Sequence, residues 1–512
     1  MTKIEINAPN GTKLSLPDGL FIGGEWKTPR GGEQSRIPVV YPATGEKICD
    51  VAVGSSADVD DAVQAAEAAL AKDWGLKSTP AKRGELMSKW ADLIEKNAKE
   101  LSILEAIDNG KPRWMAEQID LADSVACLRF YAGLADKVEG KTMELDVTTK
   151  FAHTRVEPIG VCGAIIPWNY PVQMACWKLG PALAAGNCLI LKPAEQTPLS
   201  ALRLAELAQE AGYPAGALQV INGLGSEVGA AIASHKRIRK VAFTGSTVTG
   251  RKIMAMAASS NLKKVTLELG GKSPVLVFDD VDVEFAVPWV AMAILFNMGQ
   301  DCCAGSRLYI QRGVHDAFVA KLTEAFKAVK IGDPFDDTTS HGAQVSEEQY
   351  RKILAYIAHG KDEGATLVCG GADSSSIQGV PKSGYWVEPT IFTHARKGMR
   401  IVDEEIFGPV LAVIPFDTEE EAIAMANDSE YGLGAGVFSE NGARCLRVSS
   451  AIQAGTVFIN NYALLSNAVP FGGYKQSGHG RELGVDAVKE WTEVKAVHWN
   501  IGEKLEWPLR AA

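Results

Sequence analysis

The sequence has no apolar run long enough to cross a membrane. Its longest uninterrupted candidates, such as Val287–Phe296, fall well short of the ~18 residues that a spanning helix needs. The first residues, Met1–Leu16, have no apolar core behind a basic patch, which a secretory signal would have. We therefore expect no membrane partner and a cytoplasmic location.

Disulfide and metal-binding patterns are also missing. The chain has nine cysteines, an odd number with irregular spacing, and eight histidines that stand alone. This arrangement favours reduced thiols over a disulfide framework and predicts no bound metal.

Acidic residues outnumber basic ones, since the chain has 62 Asp and Glu and 52 Lys and Arg, for a net charge of −10. Without a basic stripe, we expect no nucleic-acid partner. The composition is otherwise that of a globular protein, with 46% hydrophobic residues. The length suggests roughly three or four structural units.

The order of short apolar runs predicts the fold class. Asp58 is expected to cap an early helix, and one long helix is expected over 81–107. From Val156 onward, strands over 161–166, 188–191, 218–221, 241–244 and 265–269 alternate with helices over 198–211, 227–234 and 249–258. This alternation predicts an α/β fold with a parallel sheet covered by helices, whose ligands bind at the carboxyl ends of the strands. Residues 365–381 are expected to form a loop, and 494–508 a strand that joins a distant sheet.

Three loops could carry chemistry. Asn169 follows a strand and could donate its side-chain amide to a carbonyl or an oxyanion, although a structural turn is the alternative. The turn Gly245–Gly250 between a strand and a helix could bind a phosphate, but such turns are common. Cys302, in the loop Gly299–Gly305, could be a thiolate nucleophile or simply a small buried cysteine.

Glu268 interrupts a strand that is otherwise apolar. A carboxylate in such a position is costly unless it is paired or functional. Removal from water would raise its pKa towards the range that is useful for a general base.

Together these residues resemble the aldehyde dehydrogenase superfamily, in particular its NAD-dependent branch with the acetaldehyde and retinaldehyde enzymes. The resemblance runs from about Leu20 to His498. It is carried by the motifs Pro167–Asn169, Lys192–Glu195, Phe243–Ser246, Leu267–Gly271, Gly299–Cys302, Glu405–Pro409 and Pro470–Gly478.

The resemblance implies three domains. A Rossmann-type NAD-binding domain would comprise 1–140 and 160–270, and an α/β catalytic domain 271–476. A β-flap over 141–159 and 477–512 would mediate self-association as a homodimer or homotetramer.

The resemblance also implies the chemistry. Cys302 would attack an aldehyde, Asn169 would hold the resulting oxyanion, and Glu268 would activate the water that releases a carboxylic acid. Lys178 and Glu482 match a proton relay. The implied NAD contacts are Ile166, Trp168, Lys192, Glu195, Gly225, Gly245, Ser246, Leu269, Gln349, Lys352, Glu405 and Phe407. The Glu195 carboxylate would repel a 2′-phosphate, so NAD is expected over NADP.

The implied substrate tunnel is lined by Ser124, Tyr170, Trp177, Asp301, Cys303, Ala463, Leu465 and Phe471. Acetaldehyde-type relatives have Met and Phe in place of Ser124 and Leu465, so we expect a wide tunnel that admits aliphatic to aromatic aldehydes. Asp301 could attract an amine-bearing aldehyde, or it could bond to the backbone and select nothing.

Two other classes stay open. A CoA-acylating enzyme would typically lack the carboxylate of Glu268, and a non-catalytic structural protein would be expected to have lost Cys302, Asn169 or Glu268.

Overall fold

The computed structural model describes residues 3–504. Its first sheet has eight strands, and the five at its centre are the strands predicted from the alternation of apolar runs. In spatial order the strands are Gly478–His479, Lys264–Glu268, Lys240–Thr244, Val161–Ile165, Cys188–Lys192, Leu218–Val220, Leu20–Ile22 and Glu25–Lys27. The five central strands are parallel, which confirms the predicted α/β fold.

Helices pack against this sheet and against one another. The longer ones are Ser56–Lys72, Pro80–Lys96, Ala98–Asn109, Leu121–Leu134, Pro171–Ala185, Leu199–Ala211, Thr247–Ser260 and Gly484–Glu490. Shorter helical segments are Gly75–Lys77, Arg113–Met115, Ala116–Asp120, Gly225–Gly229 and Ala230–Ser234.

Two helix predictions need correction. Ser55, not Asp58, is the N-cap of the first helix, and the Asp58 carboxylate instead accepts a hydrogen bond from the Ser55 backbone N–H at 2.8 Å. This reciprocal capping box places Asp58 three residues inside the helix end. The single helix predicted over 81–107 is two helices that meet at Asn97, and Gly110 ends the second with φ +87°.

A second sheet of seven strands forms the other half of the structure. Its strands, in spatial order, are Thr366–Cys369, Thr390–Thr393, Val410–Phe416, Arg307–Gln311, Pro274–Val277, Gly434–Phe438 and Thr456–Ile459. Its helices are Val283–Leu295, Phe296–Gly299, His315–Lys327, Glu347–Asp362, Arg400–Asp403, Glu419–Asn427, Gly442–Ala451 and Lys475–Ser477. The loop predicted over 365–381 therefore begins with an edge strand, Thr366–Cys369, before it becomes irregular.

Three small sheets complete the fold. Lys3–Asn7 pairs with Lys13–Pro17, and Arg36–Tyr41 pairs with Glu46–Ala52. The third sheet contains Thr142–Asp146, Lys150–Pro158 and Thr492–Asn500. The last of these confirms the strand predicted over 494–508 only as far as Asn500, because residues 501–504 are irregular. Residues 505–508 of that prediction lie outside the described residues. Within 3–504, no helix is both long and apolar enough to span a membrane.

The carboxyl ends of the first sheet's strands define where a site can form. Ile165, Thr244 and Glu268 lie at or near the carboxyl ends of neighbouring parallel strands and so meet at one edge of the sheet. The loops that enter the second sheet pass this edge, and a cleft opens between them. This is where an open α/β sheet binds its ligands.

Candidate active site

Cys302 lies on a loop whose backbone conformation is unusual. Asn297, Met298 and Gly299 all have positive φ, at +48°, +58° and +72°. A side chain at Gly299 would bring its Cβ within 2.3 Å of the Gly408 carbonyl carbon, so only glycine fits. Strained backbone of this kind persists where the surrounding structure enforces it. It turns Cys302 into the cleft, where the residue is half-buried.

Asn169 is held at its backbone as well as at its side chain. Its carbonyl oxygen accepts hydrogen bonds from Lys111 Nζ at 2.9 Å and from Asn297 Nδ2 at 3.0 Å. Its own Nδ2 donates to the Gln300 carbonyl at 3.0 Å. An amide nitrogen carries two hydrogens, so one remains for a ligand in the cleft.

Glu268 is the last residue of its strand and is 5% exposed. Burial, reinforced by the nearby charge of Glu482, raises the pKa of its carboxyl group well above the ordinary value, against the opposing effect of Lys178 and Arg481. Within the described chain its Oε2 atom has no hydrogen-bond partner. The carboxyl group lines the cleft, and its unpartnered Oε2 atom is buried.

Lys178 and Glu482 form a buried ion pair of 2.6 Å behind Glu268. Lys178 Nζ also donates to Thr244 Oγ1 at 2.7 Å, and Thr244 lines the cleft. Thr244 was missing from the sequence prediction, although its place at a strand's carboxyl end, two residues before Ser246, was a usable indication.

Most residues predicted to contact a cofactor line this cleft. They are Trp168, Gly245, Ser246, Leu269, Gln349, Lys352, Glu405 and Phe407. Glu405 Oε1 accepts a hydrogen bond from the Gly271 N–H at 2.9 Å, and burial raises the pKa of this carboxyl group. Gln349 Nε2 donates to the Phe407 carbonyl at 2.6 Å, which fixes the aromatic residue in its left-handed conformation of φ +63°.

The other four predicted cofactor residues form a second group beside the cleft. Glu195 accepts hydrogen bonds from Lys192 Nζ at 3.2 Å and from the Gly225 N–H at 3.1 Å, and the Ile166 N–H donates to the Lys192 carbonyl. Burial alone would raise the pKa of Glu195, but the Lys192 charge and the Gly225 N–H lower it. Glu195 is thus held as an anion at the rim of an adjacent depression.

Seven of the eight residues predicted to line a substrate tunnel lie along this cleft. Tyr170, Trp177, Asp301, Cys303, Ala463, Leu465 and Phe471 line the cleft. Ser124 does not line it, because its side chain is buried and its hydroxyl donates to the Asp120 carbonyl of the preceding turn at 2.6 Å. Ile119, Asp120 and Asp123 face the cleft instead. One position along a helix turns a side chain by about 100°, so the wall is Asp123 rather than Ser124.

Asp301 is tied to its neighbours. Its Oδ1 accepts from the Cys303 N–H at 3.1 Å, and its Oδ2 accepts from the Tyr170 hydroxyl at 3.2 Å. A hydrogen bond from Cys303 lowers the pKa of Cys302, but burial and the Asp301 charge outweigh it, so the pKa is raised. Asp301, Cys302 and Cys303 also offer three potential metal ligands within 4.8 Å of one another, a grouping that the spacing of cysteines and histidines does not predict.

Comparison with known proteins gives a consistent result. The sequence matches the aldehyde dehydrogenase family over residues 28–497. It is 50% identical over 491 residues to an aldehyde dehydrogenase of Agaricus bisporus, covering 96% of both chains. It is 48% identical over 501 residues to the mitochondrial aldehyde dehydrogenase of Homo sapiens, covering 98% of this chain and 95% of that one.

Solved structures agree with the sequence relatives. The NAD+ complex of an aldehyde dehydrogenase from Bacillus cereus superposes with a TM-score of 0.91 at 46% identity, over 95% of this chain and 97% of that one. A betaine aldehyde dehydrogenase from Staphylococcus aureus superposes with a TM-score of 0.92 at 39% identity, over 96% and 99%.

The raised pKa of Cys302 predicts how fast the thiol is alkylated by iodoacetamide at different pH values. Only the thiolate reacts, so the rate should still be rising above the pH at which an ordinary thiol is fully ionised. Asp301→Asn removes one of the charges that raise this pKa, and should move the midpoint to lower pH. Mass spectrometry of the peptide containing Cys302 measures the rate.

Asp316→Asn is the matched control, because Asp316 is fully exposed and outside the cleft. It should leave the midpoint in place. A midpoint in Asp301→Asn equal to that of the wild type would contradict the role assigned to the Asp301 charge.

Proposed function

Because the chain belongs to the aldehyde dehydrogenase family, we propose that it oxidises an aldehyde to a carboxylic acid, with NAD as the hydride acceptor. The observation that carries this proposal is that Cys302, Asn169 and Glu268 line one cleft together with Glu405 and Phe407. A nucleophile, an oxyanion donor and a base are therefore available around a single reacting carbon.

The residues fit a dinucleotide. The helix Thr247–Ser260 begins at Ser246 beside the cleft, and its first N–H groups suit a pyrophosphate. The anionic Glu195 suits ribose hydroxyls and disfavours a 2′-phosphate, which supports NAD over NADP. Glu405 and Phe407, in the same cleft as Cys302, suit the nicotinamide end. When bound, NAD would accept the hydride that leaves the substrate carbon.

The covalent step belongs to Cys302. Its thiolate adds to the aldehyde carbonyl carbon and gives a tetrahedral thiohemiacetal on sulfur. The free N–H of the Asn169 amide and the backbone N–H of Cys302 would stabilise the oxyanion. Loss of hydride from the same carbon oxidises it to a thioester.

The release step belongs to Glu268. Its carboxylate takes a proton from a water that attacks the thioester, so the carboxylic acid leaves and the Cys302 thiolate is restored. Thr244 lines the cleft and contacts Lys178, which contacts Glu482 behind it, and we propose these three residues as the route by which the proton departs.

Two rival classes are disfavoured by these side chains. A CoA-acylating enzyme has no need of a water-activating carboxylate, whereas Glu268 lines the same cleft as Cys302. A structural protein has no need of three polar side chains directed at one cavity.

The substrate range stays broad in this proposal. Leu465 and Ala463 leave room along the wall, and the cleft has an empty volume of about 1440 Å³ with its open mouth included. The second candidate is an amine-bearing aldehyde selected by Asp301. The hydrogen bonds of Asp301 to Cys303 and Tyr170 favour a structural role for this particular carboxylate.

We also propose the division into three domains and self-association through the β-flap. The strand Thr492–Asn500 forms one edge of its three-stranded sheet. Exposed apolar side chains on and beside this sheet are Leu145, Val147, Phe151, Val494, Trp499 and Ile501. An unpaired edge with exposed apolar groups favours pairing with a second copy, as a dimer or, with further contacts, a tetramer.

For location we propose the cytoplasm, where thiols stay reduced, because all nine cysteines are free. The family also has mitochondrial members, so cell fractionation is the deciding measurement.

The first experiment follows NADH absorbance with a panel of aldehydes. The wild type should reduce NAD, Cys302→Ala should not, and Glu268→Gln should lose steady-state turnover by about 100-fold or more while keeping a single burst of NADH. A burst without turnover identifies a stalled thioester. Normal turnover by Cys302→Ala would contradict the mechanism.

The pH dependence of the release step follows from the raised pKa of Glu268. The base works only when ionised, so the release rate should rise with pH through a value above the ordinary range for Glu and level off beyond it. Stopped-flow decay of the thioester measures this rate, and a flat profile between pH 5 and 9 would contradict it.

Lys111 should act as a positioning residue for Asn169. Lys111→Met removes a donor to the Asn169 carbonyl and should lower kcat by roughly tenfold with little change in KM. It also leaves the buried Asp120 unpaired, which should destabilise the fold by ~3–5 kcal/mol. The double variant Lys111→Met with Asp120→Asn should recover thermal stability but not kcat, and recovery of both would refute the positioning role.

Self-association is tested at the exposed strand edge. Val494→Glu places a charge on the edge strand at a residue that is 70% exposed, so the monomer should fold but associate more weakly. Light scattering after size exclusion measures the mass. Leu446→Glu, at a residue 66% exposed outside the flap sheet, should leave the mass unchanged. A wild-type protein that is monomeric in solution would contradict the proposed self-association.

A further inference from the structure

Three carboxylates face the substrate side of the cleft, those of Asp120, Asp123 and Asp301. Asp120 is neutralised by the buried ammonium group of Lys111. Within residues 3–504, no Lys, Arg or His nitrogen lies within 4.0 Å of either of the other two carboxylates. Two negative charges on this wall therefore have no cationic partner in the protein.

Asp123 is fixed in place by neutral donors only. Its Oδ2 accepts from Gln173 Nε2 at 2.7 Å and from Trp177 Nε1 at 3.4 Å, and its Oδ1 accepts from Asn467 Nδ2 at 2.9 Å. These bonds orient the carboxylate and satisfy its oxygens, but they leave its charge uncompensated. The residue is half-buried, so solvent screens this charge less than it would at the surface.

The surrounding wall is aromatic. Trp177 and Phe471 meet edge to face with centroids 5.6 Å apart. The ring of Tyr170 is already occupied by the Lys111 ammonium group, 4.4 Å from its centroid, so of these rings Trp177 and Phe471 are left for a ligand. Aromatic faces attract ammonium groups through their quadrupole, by about 0.5–2 kcal/mol. Carboxylates without partners beside aromatic rings form the chemical environment that binds a cationic nitrogen.

Asp301 and Asp123 differ in what they could bind. The oxygens of both carboxylates accept hydrogen bonds, so occupancy does not separate them. Asp301 is the immediate neighbour of Cys302, so a nitrogen bound there would lie beside the reacting carbon. Asp123 is on a different helix, Leu121–Leu134, and its neighbours Gln173 and Trp177 belong to a third element. Because both residues line one cleft, we expect a substrate held at Cys302 by its aldehyde carbon to reach Asp123 with a group farther along its chain.

Resting on the proposed oxidation at Cys302, we propose that the substrate is an aldehyde carrying a cationic nitrogen, and that Asp123 selects it. The Asp123 carboxylate would act on the substrate nitrogen and not on the reacting carbon. It would therefore stabilise the bound substrate and the transition state equally. Its loss should therefore raise KM and leave kcat unchanged.

The test compares 3-aminopropanal with butanal, a neutral aldehyde of the same length, in NADH-coupled assays. Asp123→Asn should lower kcat/KM for 3-aminopropanal by about tenfold, equivalent to ~1.4 kcal/mol, through KM. For butanal the change should stay below about twofold. The exposed Asp136→Asn, outside the cleft, is the matched control and should alter neither substrate.

Three results would overturn the assignment. Equal loss on both substrates would mean that Asp123 only clamps Gln173, Trp177 and Asn467. Loss of the preference in Asp301→Asn but not in Asp123→Asn would assign the selection to Asp301. A wild type that prefers butanal would exclude a cationic substrate without the use of any variant.

Succinic semialdehyde, which carries a negative charge, gives a further comparison in the wild type alone. The proposal requires kcat/KM to fall in the order cationic, neutral, anionic, and any other order refutes it. A wild type that oxidises none of the three aldehydes would refute the proposed function itself. Oxidation of butanal without a charge preference would refute only the selection by Asp123.

Discussion

The hydrogen bonds around Asn169 hold the two halves of the site together. Its backbone carbonyl is bound by Lys111 from the first half of the chain and by Asn297 from the loop that leads to Cys302. Its side chain returns a hydrogen bond to Gln300, two residues before the nucleophile. Because all of these groups are buried, breaking any one of them would leave an unpaired polar atom at a cost of about 1–3 kcal/mol. The Asn169 side chain, the proposed oxyanion donor, and the Cys302 thiol are therefore kept in a fixed relation.

Burial sets the charge states of the site. It raises the pKa values of Glu268 and Glu405 and lowers that of Lys352, so each group holds or gives up a proton more easily than it would in water. The positive φ angles before Cys302 and at Phe407 add backbone strain in the same region. Such features cost stability, and their concentration in one cleft is the mark of a site built for chemistry.

The sequence was sufficient for the five central strands of the first sheet and for much of the cleft, but it did not predict the three outer strands of that sheet. Its central strands are buried on both faces, so they read as uninterrupted apolar runs, and their bounds were predicted to within one or two residues. Prediction was weaker where a contact between distant residues decides the structure. Asn97 divides a helix whose apolar pattern continues across the break. Lys111 and Asn297 donate hydrogen bonds to the backbone carbonyl of Asn169. A bond to the backbone cannot be predicted from the pattern of side chains along the sequence.

The substrate wall shows the same limit at finer scale. A resemblance in sequence located the correct helix, but which of Asp123 and Ser124 faces the cleft depends on the exact turn of that helix. The short π-helical segment Ala116–Asp120 immediately precedes it, and a wider turn changes which side a residue faces. The fold class was therefore predictable from periodicity, whereas the identity of the side chains that line the cleft required the three-dimensional structure.

The placement of negative charge in the cleft carries a trade-off. A carboxylate beside the thiol, such as Asp301, raises the pKa of Cys302 and so reduces the fraction of reactive thiolate at neutral pH. A carboxylate on a separate helix can attract a cationic substrate with a weaker effect on the nucleophile, because the interaction between charges falls with distance. Asp123 occupies such a position, and its neutral hydrogen-bond partners preserve its charge for the substrate. Selection and reactivity can then be tuned by different residues.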